Sequence, residues 1–199
     1  MGVFKYLITK SVPSNTMVEA VYSYEELTLT VLYNGTGATS SNDSSLVIML
    51  EYGSFSFLFT GDISNKTESK LVSSGVDLSC DVLKVAHHGS KSSSSLEFLK
   101  ATGAKYSVIC VGQNSYGHPT SSALNNLASA GMVIYRTDKD GNVEFSTNGS
   151  EMTLPKNDGI VTASEYSSRN IKPEIEAQIY TIRKLKYSFC LLNSISCCF

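Results

Sequence analysis

Histidine is scarce in this 199-residue sequence, and each of its three copies stands where it could do chemistry. His87 and His88 are adjacent in DVLKVAHHGS, straight after an apolar run and straight before Gly-Ser. His118 closes GQNSYGHP, which also holds Asn114 and Tyr116 and follows a second apolar run, YSVICV. Asp62 comes behind a glycine in SFSFLFTGDIS, again where an apolar run stops. Histidine and carboxylate together suit a borderline divalent ion such as zinc or manganese. Such an ion lowers the pKa of a bound water and yields hydroxide near neutral pH.

Each residue has a plainer reading beside the chemical one. Asp62 could cap a following helix. Of the paired histidines, one could be satisfied in the core and the other exposed, with Gly89-Ser90 as an ordinary turn. His118 could be a loop residue whose proline opens the next helix. The serines at 92–95 read as a solvated loop and helix cap. No GxSxG elbow or Ser-His-Asp order supports a serine nucleophile. The coincidence favours chemistry: all three histidines fall at strand ends, spaced by strand-helix units.

The elements that must position these residues are legible between 27 and 149. LTLTVLY (27–33) alternates as a strand, and 34–44 is a loop by its Gly, Asn and Ser content. SLVIMLEY (45–52) and SFSFLFT (54–60) form a hairpin at Gly53. A short helix follows over 66–75, closed by glycine. DVLKVA (81–86) is a buried strand, 94–104 a helix with a serine cap, and YSVICVG (106–112) another buried strand. The same grammar gives a helix over 120–131 and a strand over 132–138. KDG then turns into NVEFST (142–147) to close a hairpin. Hairpins followed by strand-helix-strand units predict a layered α/β domain with a mixed sheet. If the three strands before Asp62, His87 and Asn114 are parallel neighbours, their ends meet at one sheet edge, where such folds gather functional residues. Asp81, just before its strand, reads as structural.

Composition sets the bounds. With 42% hydrophobic and 17% charged residues and a net charge of −2, the chain is globular and carries no basic footprint for nucleic acid. Cysteines at 80, 110, 190, 197 and 198 show neither a CxxC pair nor a repeating spacing, so buried thiols are expected. No run reaches the roughly 18 apolar residues of a membrane span, and the first residues hold no signal peptide. Residues 1–26 show no clean period. From 150 to 199 the chain turns polar and irregular, a linker and tail, the last stretch mixing basic and apolar residues with three cysteines.

NDSSLVIMLEYGSFSFLFTGDIS, DVLKVAHHGSKSSSS and VGQNSYGHPTSSALNNL closely resemble the metallo-β-lactamase-fold domain at the C-terminus of ComEC-type competence proteins, and the free-standing hydrolases related to it. The resemblance covers about residues 27–149 and rests on the three motifs in order. It implies an αββα sandwich with a metal site at the sheet edge and hydrolytic chemistry on phosphoester or nucleic-acid bonds. By the same resemblance Asp62 bridges metal ions and His88 is a metal ligand, with His87 beside it as a proton-transfer group; the two histidines could exchange roles. His118 joins His87 on the catalytic side, and Asn114 and Tyr116 line the substrate side. ComEC-type proteins hold this domain beside the membrane, whereas its free-standing relatives are soluble or secreted.

One departure counts against a complete site. The family's HxHxDH cluster provides most of the ligands, and here no histidine precedes His87. A catalytic zinc takes three protein ligands, and a metal pair shares more. Asp62, one or two of the paired histidines and His118 would make a weak, incomplete zinc or manganese site. The chain is therefore expected to be the C-terminal half of the sandwich, from a split, truncated or misassembled gene, with an N-terminal half-domain on another chain as partner. Without that partner a large apolar sheet face would be bare. Two further functions fit the same residues: a non-catalytic remnant or binding module, and a component of competence DNA uptake.

Overall fold

The computed structural model describes residues 8–10 and 20–162. The N-terminal stretch, the tail beyond 162 and its three cysteines lie largely or wholly outside the described residues. The described residues fall into two compact units, one of residues 8–10, 20–51 and 56–143, the other of 52–55 and 144–162.

The first unit is built on an eight-stranded sheet whose strands lie side by side in chain order. β1 (Ile8–Lys10), β2 (Ala20–Tyr24) and β3 (Leu27–Tyr33) form an antiparallel run. Sheet structure therefore begins upstream of residue 27, where the sequence shows no clean period. β4 (Val47–Tyr52) and β5 (Phe55–Phe59) are the expected hairpin, turning at Gly53-Ser54 with Gly53 at φ 57°. From β5 onward the sheet is parallel: β6 (Val82–Lys84), β7 (Tyr106–Ile109) and β8 (Val133–Arg136) follow in register. Phe57, Val82, Tyr106 and Val133 form one row across these four strands. The ends of β5, β6 and β7 consequently meet at one edge, as the sequence requires for a shared site.

Each parallel crossover carries a helix: α1 (Asn65–Ser74), α2 (Leu96–Thr102) and α3 (Ser121–Ser129). α1 packs on α2 and α2 on α3. Gly75 and Gly103 close the first two helices in the left-handed conformation that a side chain disfavours. One apolar core joins strand residues Val47, Leu58, Leu83 and Ile109, with Val85 just past β6, to Leu71, Phe98, Leu99 and Leu127 of the helices. Burial of each such side chain stabilises the fold by about 1.5–3 kcal/mol before entropy is counted. Cys80 is buried and Cys110 half-buried, and neither is in a disulfide. This is a mixed α/β sheet flanked by helices.

Two expectations are corrected. β8 is followed by a short helix, α4 (Thr137–Asp140), so the hairpin expected over 132–147 does not form. Asp140 accepts from the Arg136 backbone N–H at 2.7 Å and Arg136 pairs with Asp138 at 2.6 Å, which winds the KDG stretch into a helical turn. β9 (Ser146–Thr147) instead joins β10 (Glu151–Thr153) and β11 (Ile160–Thr162) in an antiparallel three-stranded sheet of the second unit. The expected bare apolar face is not found among the described residues either: the exposed large apolar side chains are Tyr24, Leu46, Tyr116 and Val133, on four separate segments.

Candidate functional site

Asp62 follows β5 through Gly61, whose φ of 54° turns the chain off the sheet. A Cβ on Gly61 would lie 2.5 Å from the Ser45 side chain, so the position has no room for one. The Ser45 hydroxyl accepts from the Asp62 backbone N–H at 3.0 Å. Asp62 does not cap α1. That task falls to Asp43, whose carboxylate accepts from the Ser64 N–H at 2.9 Å, the Ser64 hydroxyl at 3.0 Å and the Thr67 hydroxyl at 2.7 Å. Burial opposes the charge on Asp43, but these bonds and one from Ser40 outweigh it and hold its carboxyl at about 2. Asp62 is thereby left with a buried Oδ1 that has no hydrogen-bond partner among the described residues.

After β6 the chain passes through three successive residues with positive φ: His87 at 48°, His88 at 54° and Gly89 at 78°. Left-handed backbone is unfavourable for a residue with a Cβ, so the surroundings must impose it. They do so at several points. His87 N–H donates to the Gly61 carbonyl at 3.1 Å, and Ser90 N–H closes the turn on the His87 carbonyl at 2.9 Å. Gly89 packs on Pro119, and its carbonyl accepts from Thr120 N–H at 2.9 Å and the Thr120 hydroxyl at 3.1 Å.

The two histidines are turned in different directions. His88 Nδ1 lies 2.6 Å from the Cys110 carbonyl. A carbonyl only accepts, so Nδ1 carries the proton and a neutral ring keeps a bare lone pair on Nε2. That Nε2 is 3.8 Å from Asp62 Oδ1. His87 instead faces Asn42, with Asn42 Nδ2 at 3.5 Å from its Nδ1, and its ring stands edge-on to His118 with centroids 5.5 Å apart.

Asn114 organises the loop that carries His118. Its amide donates to the Gly112 and His118 carbonyls at 3.0 and 2.8 Å, and its oxygen accepts from the Tyr116 and His118 N–H groups at 3.1 and 3.0 Å. These four bonds fill the hydrogen-bonding capacity of the side chain. Tyr116 is 81% exposed and its ring lies 5.9 Å from that of His118. Burial depresses the pKa of His118, His87 and His88 depress it further, and Asp62 opposes them.

The sheet edge thus unites Asp62 with His88 and His87 with His118, while Asn114 faces its own loop and Tyr116 stands outermost. Asp81 is structural as expected, its carboxylate accepting from the Ser56 N–H at 2.8 Å and the Ser56 hydroxyl at 3.1 Å. Zinc takes imidazole nitrogen and carboxylate oxygen at about 2.0–2.2 Å each, so two donors 3.8 Å apart can share one ion. An unbonded buried carboxylate oxygen facing a bare imidazole nitrogen fits a cation. Among the described residues, however, no group of three His, Cys, Asp or Glu side chains could hold one. Asp62 and His88 by themselves make two donors, fewer than a catalytic zinc takes from protein.

The sequence reading missed Asn42, Asp43 and Ser45. Their signal was a pair of Asx residues among serines just before a strand, a pattern that favours local side-chain-to-backbone turns. The Cys110 carbonyl that orients His88 leaves no mark in side-chain identity.

No family model matches the chain. It is similar to ComE operon protein 3 of Bacillus subtilis (strain 168), 36% identical over 107 residues, which covers 53% of this chain and 14% of that protein. Competence protein ComA of Neisseria gonorrhoeae is 39% identical over 106 residues, 52% of this chain and 15% of ComA. The uncharacterized protein YcaI of Escherichia coli (strain K12) is 30% identical over 112 residues, 54% of this chain and 15% of YcaI. The similarity to two competence proteins supports a competence-protein relationship over about half of this chain, and the matched stretch spans about a seventh of each of those relatives.

Proposed function

We propose that this chain contributes the C-terminal part of a metal-dependent hydrolase of the ComEC-like, metallo-β-lactamase kind, acting on phosphoester or nucleic-acid bonds in competence DNA uptake. The observation that carries the reading is the unbonded, buried Oδ1 of Asp62 lying 3.8 Å from His88 Nε2. Asp62 and His88 would hold a zinc or manganese ion, with the remaining ligands provided by an N-terminal half-domain. When bound, the ion would supply a water acidic enough to serve as nucleophile near neutral pH.

The other residues act through geometry. The Cys110 carbonyl fixes His88 with its lone pair toward Asp62, the usual way an outer group orients a metal-binding imidazole. His87 and His118 stand together to hold or pass a proton. Burial and the neighbouring histidines favour the neutral form of His118, which can accept one. Tyr116 offers an exposed ring on which a base of a nucleic-acid substrate could stack. Asn114 keeps the His118 backbone in place. The network lies beside no membrane span of its own: among the described residues no helix is long and apolar enough to cross a bilayer.

A second reading, a binding module without chemistry, is favoured by one observation: the described residues offer fewer than three ligands. Equilibrium dialysis of the purified chain against zinc and manganese, followed by elemental analysis, tests the first. The expected result is up to about one weakly held ion per chain, lost in an Asp62→Ala/His88→Ala double variant. Equal uptake by wild type and double variant would overturn it. Metal uptake without hydrolysis of bis-p-nitrophenyl phosphate, even with the upstream half added, would favour the binding module.

A further inference from the structure

We infer that Asn42 is a positioning residue that fixes the tautomer of His87, so that the two adjacent histidines present opposite atoms at the sheet edge. The Asn42 amide nitrogen lies 3.5 Å from His87 Nδ1. With the amide NH2 turned to the ring, Asn42 donates and His87 Nδ1 accepts with its lone pair, so a neutral His87 carries its proton on Nε2; the flipped amide would present its oxygen and require the other tautomer. His88 is the reverse, with Nδ1–H bonded to the Cys110 carbonyl and Nε2 bare. One imidazole of the pair offers a lone pair and the other an N–H.

Both partners in the Asn42–His87 contact are held by their backbones. The Asn42 carbonyl accepts from the Ser45 N–H at 3.1 Å, and Ser45 in turn holds the Asp62 N–H through its hydroxyl. Asp43, the next residue, is bonded to Ser64 and Thr67 at the start of α1. His87 is fixed by its left-handed backbone and by its N–H bond to the Gly61 carbonyl. Segment 42–45 therefore holds Asp62 and His87 in one frame. In the function proposed above, on which this last step rests, the Nε2–H of His87 is a hydrogen-bond donor to an anionic phosphoester oxygen, whereas His88 is the ligand.

The tautomer can be read without metal or substrate. Long-range 1H–15N correlation spectra of the full chain would be recorded at about pH 8, above the usual histidine range. Single substitutions to Gln would assign the three histidines. The expected pattern is Nε2–H for His87 and Nδ1–H for His88. Asn42→Asp replaces the donor by an acceptor and should convert His87 alone to Nδ1–H, and Asn42→Ala should give His87 a mixture. Nδ1–H at His87 in the wild type, or a His87 pattern unmoved by both variants, would overturn the assignment. A chain that binds no metal would still show the expected spectra, so the failure of one reading is distinguishable from the failure of the other.

Discussion

Three acidic residues around the start of α1, Asp43, Glu68 and Asp62, are treated in opposite ways. At the helix starts, Asp43 and Glu68 are saturated with hydrogen bonds. Asp43 holds the first turn of α1, and Glu68, fully buried on α1, accepts from the Ser94 and Ser95 N–H groups at 2.6 and 2.8 Å to cap α2. At the strand end, Asp62 keeps a buried oxygen bare. Burying a carboxylate oxygen without a partner is unfavourable, so the fold carries a local cost at Asp62 that it avoids at the other two. A buried polar group left without a protein partner calls for an explanation that the two saturated carboxylates do not.

The largest test of this contrast is Glu68→Ala. It would strand two N–H groups at the start of α2, each worth about 1–3 kcal/mol when left unsatisfied. A loss of about 3 kcal/mol is expected, read as a lower urea midpoint with an unchanged slope. Glu68→Gln keeps an acceptor for one of the two and should lose roughly half as much. A Glu68→Ala variant as stable as wild type would erase the distinction between the two sets.

Asp43→Ala should cost less, about 1–2 kcal/mol, the usual loss for a helix-start cap. Its signature is a pH dependence. The Asp43 carboxyl falls from an ordinary 3.8 to about 2 in the folded chain, so the folded state releases its proton more readily than the unfolded one. The contribution is fully present above about pH 4 and is lost as pH falls toward 2. Asp43→Asn should flatten that acid limb in melts recorded across the range. An unchanged limb would mean that other carboxylates carry the acid sensitivity.

The same contrast explains what was legible in the sequence. Asp62, His87 and His88 were findable because they follow closely on the ends of β5 and β6, and His118 because it lies on the loop between β7 and α3; strand ends are written in apolar runs a few residues long. The parallel sheet that gathers them follows from the strand-helix alternation, and Gly75 and Gly103 stop their helices where glycine predicts. The braces were not findable, because their partners are distant: Asp43 reaches Ser64 across 21 residues, and Glu68 reaches Ser94 and Ser95 across 26 and 27. Ser95 reads as the cap of α2, yet its side chain makes no capping bond and the carboxylate of Glu68 stands in for it. The turn after β8 failed for a different reason, competition between two local patterns. KDG is a hairpin signal in isolation, and the Arg136–Asp138 and Arg136–Asp140 bonds turn the chain there into a helix.

The smallest expected effect is the most discriminating. Asp62→Asn should change stability by no more than about 0.5 kcal/mol or raise it slightly, because the group it removes makes no hydrogen bond through Oδ1. An amide there can also turn its NH2 toward the bare Nε2 of His88, replacing two acceptors that face each other at 3.8 Å by a donor and an acceptor. The same substitution should abolish whatever zinc or manganese uptake the wild type shows, since it withdraws the charge that attracts the ion and offers the imidazole a competing proton. Stability retained while metal uptake is lost is the behaviour of a residue kept for function at some expense to the fold. A loss of stability above about 1 kcal/mol would place Asp62 with Asp43 and Glu68 as one more structural carboxylate, and the sheet edge would then have no residue set apart for an ion.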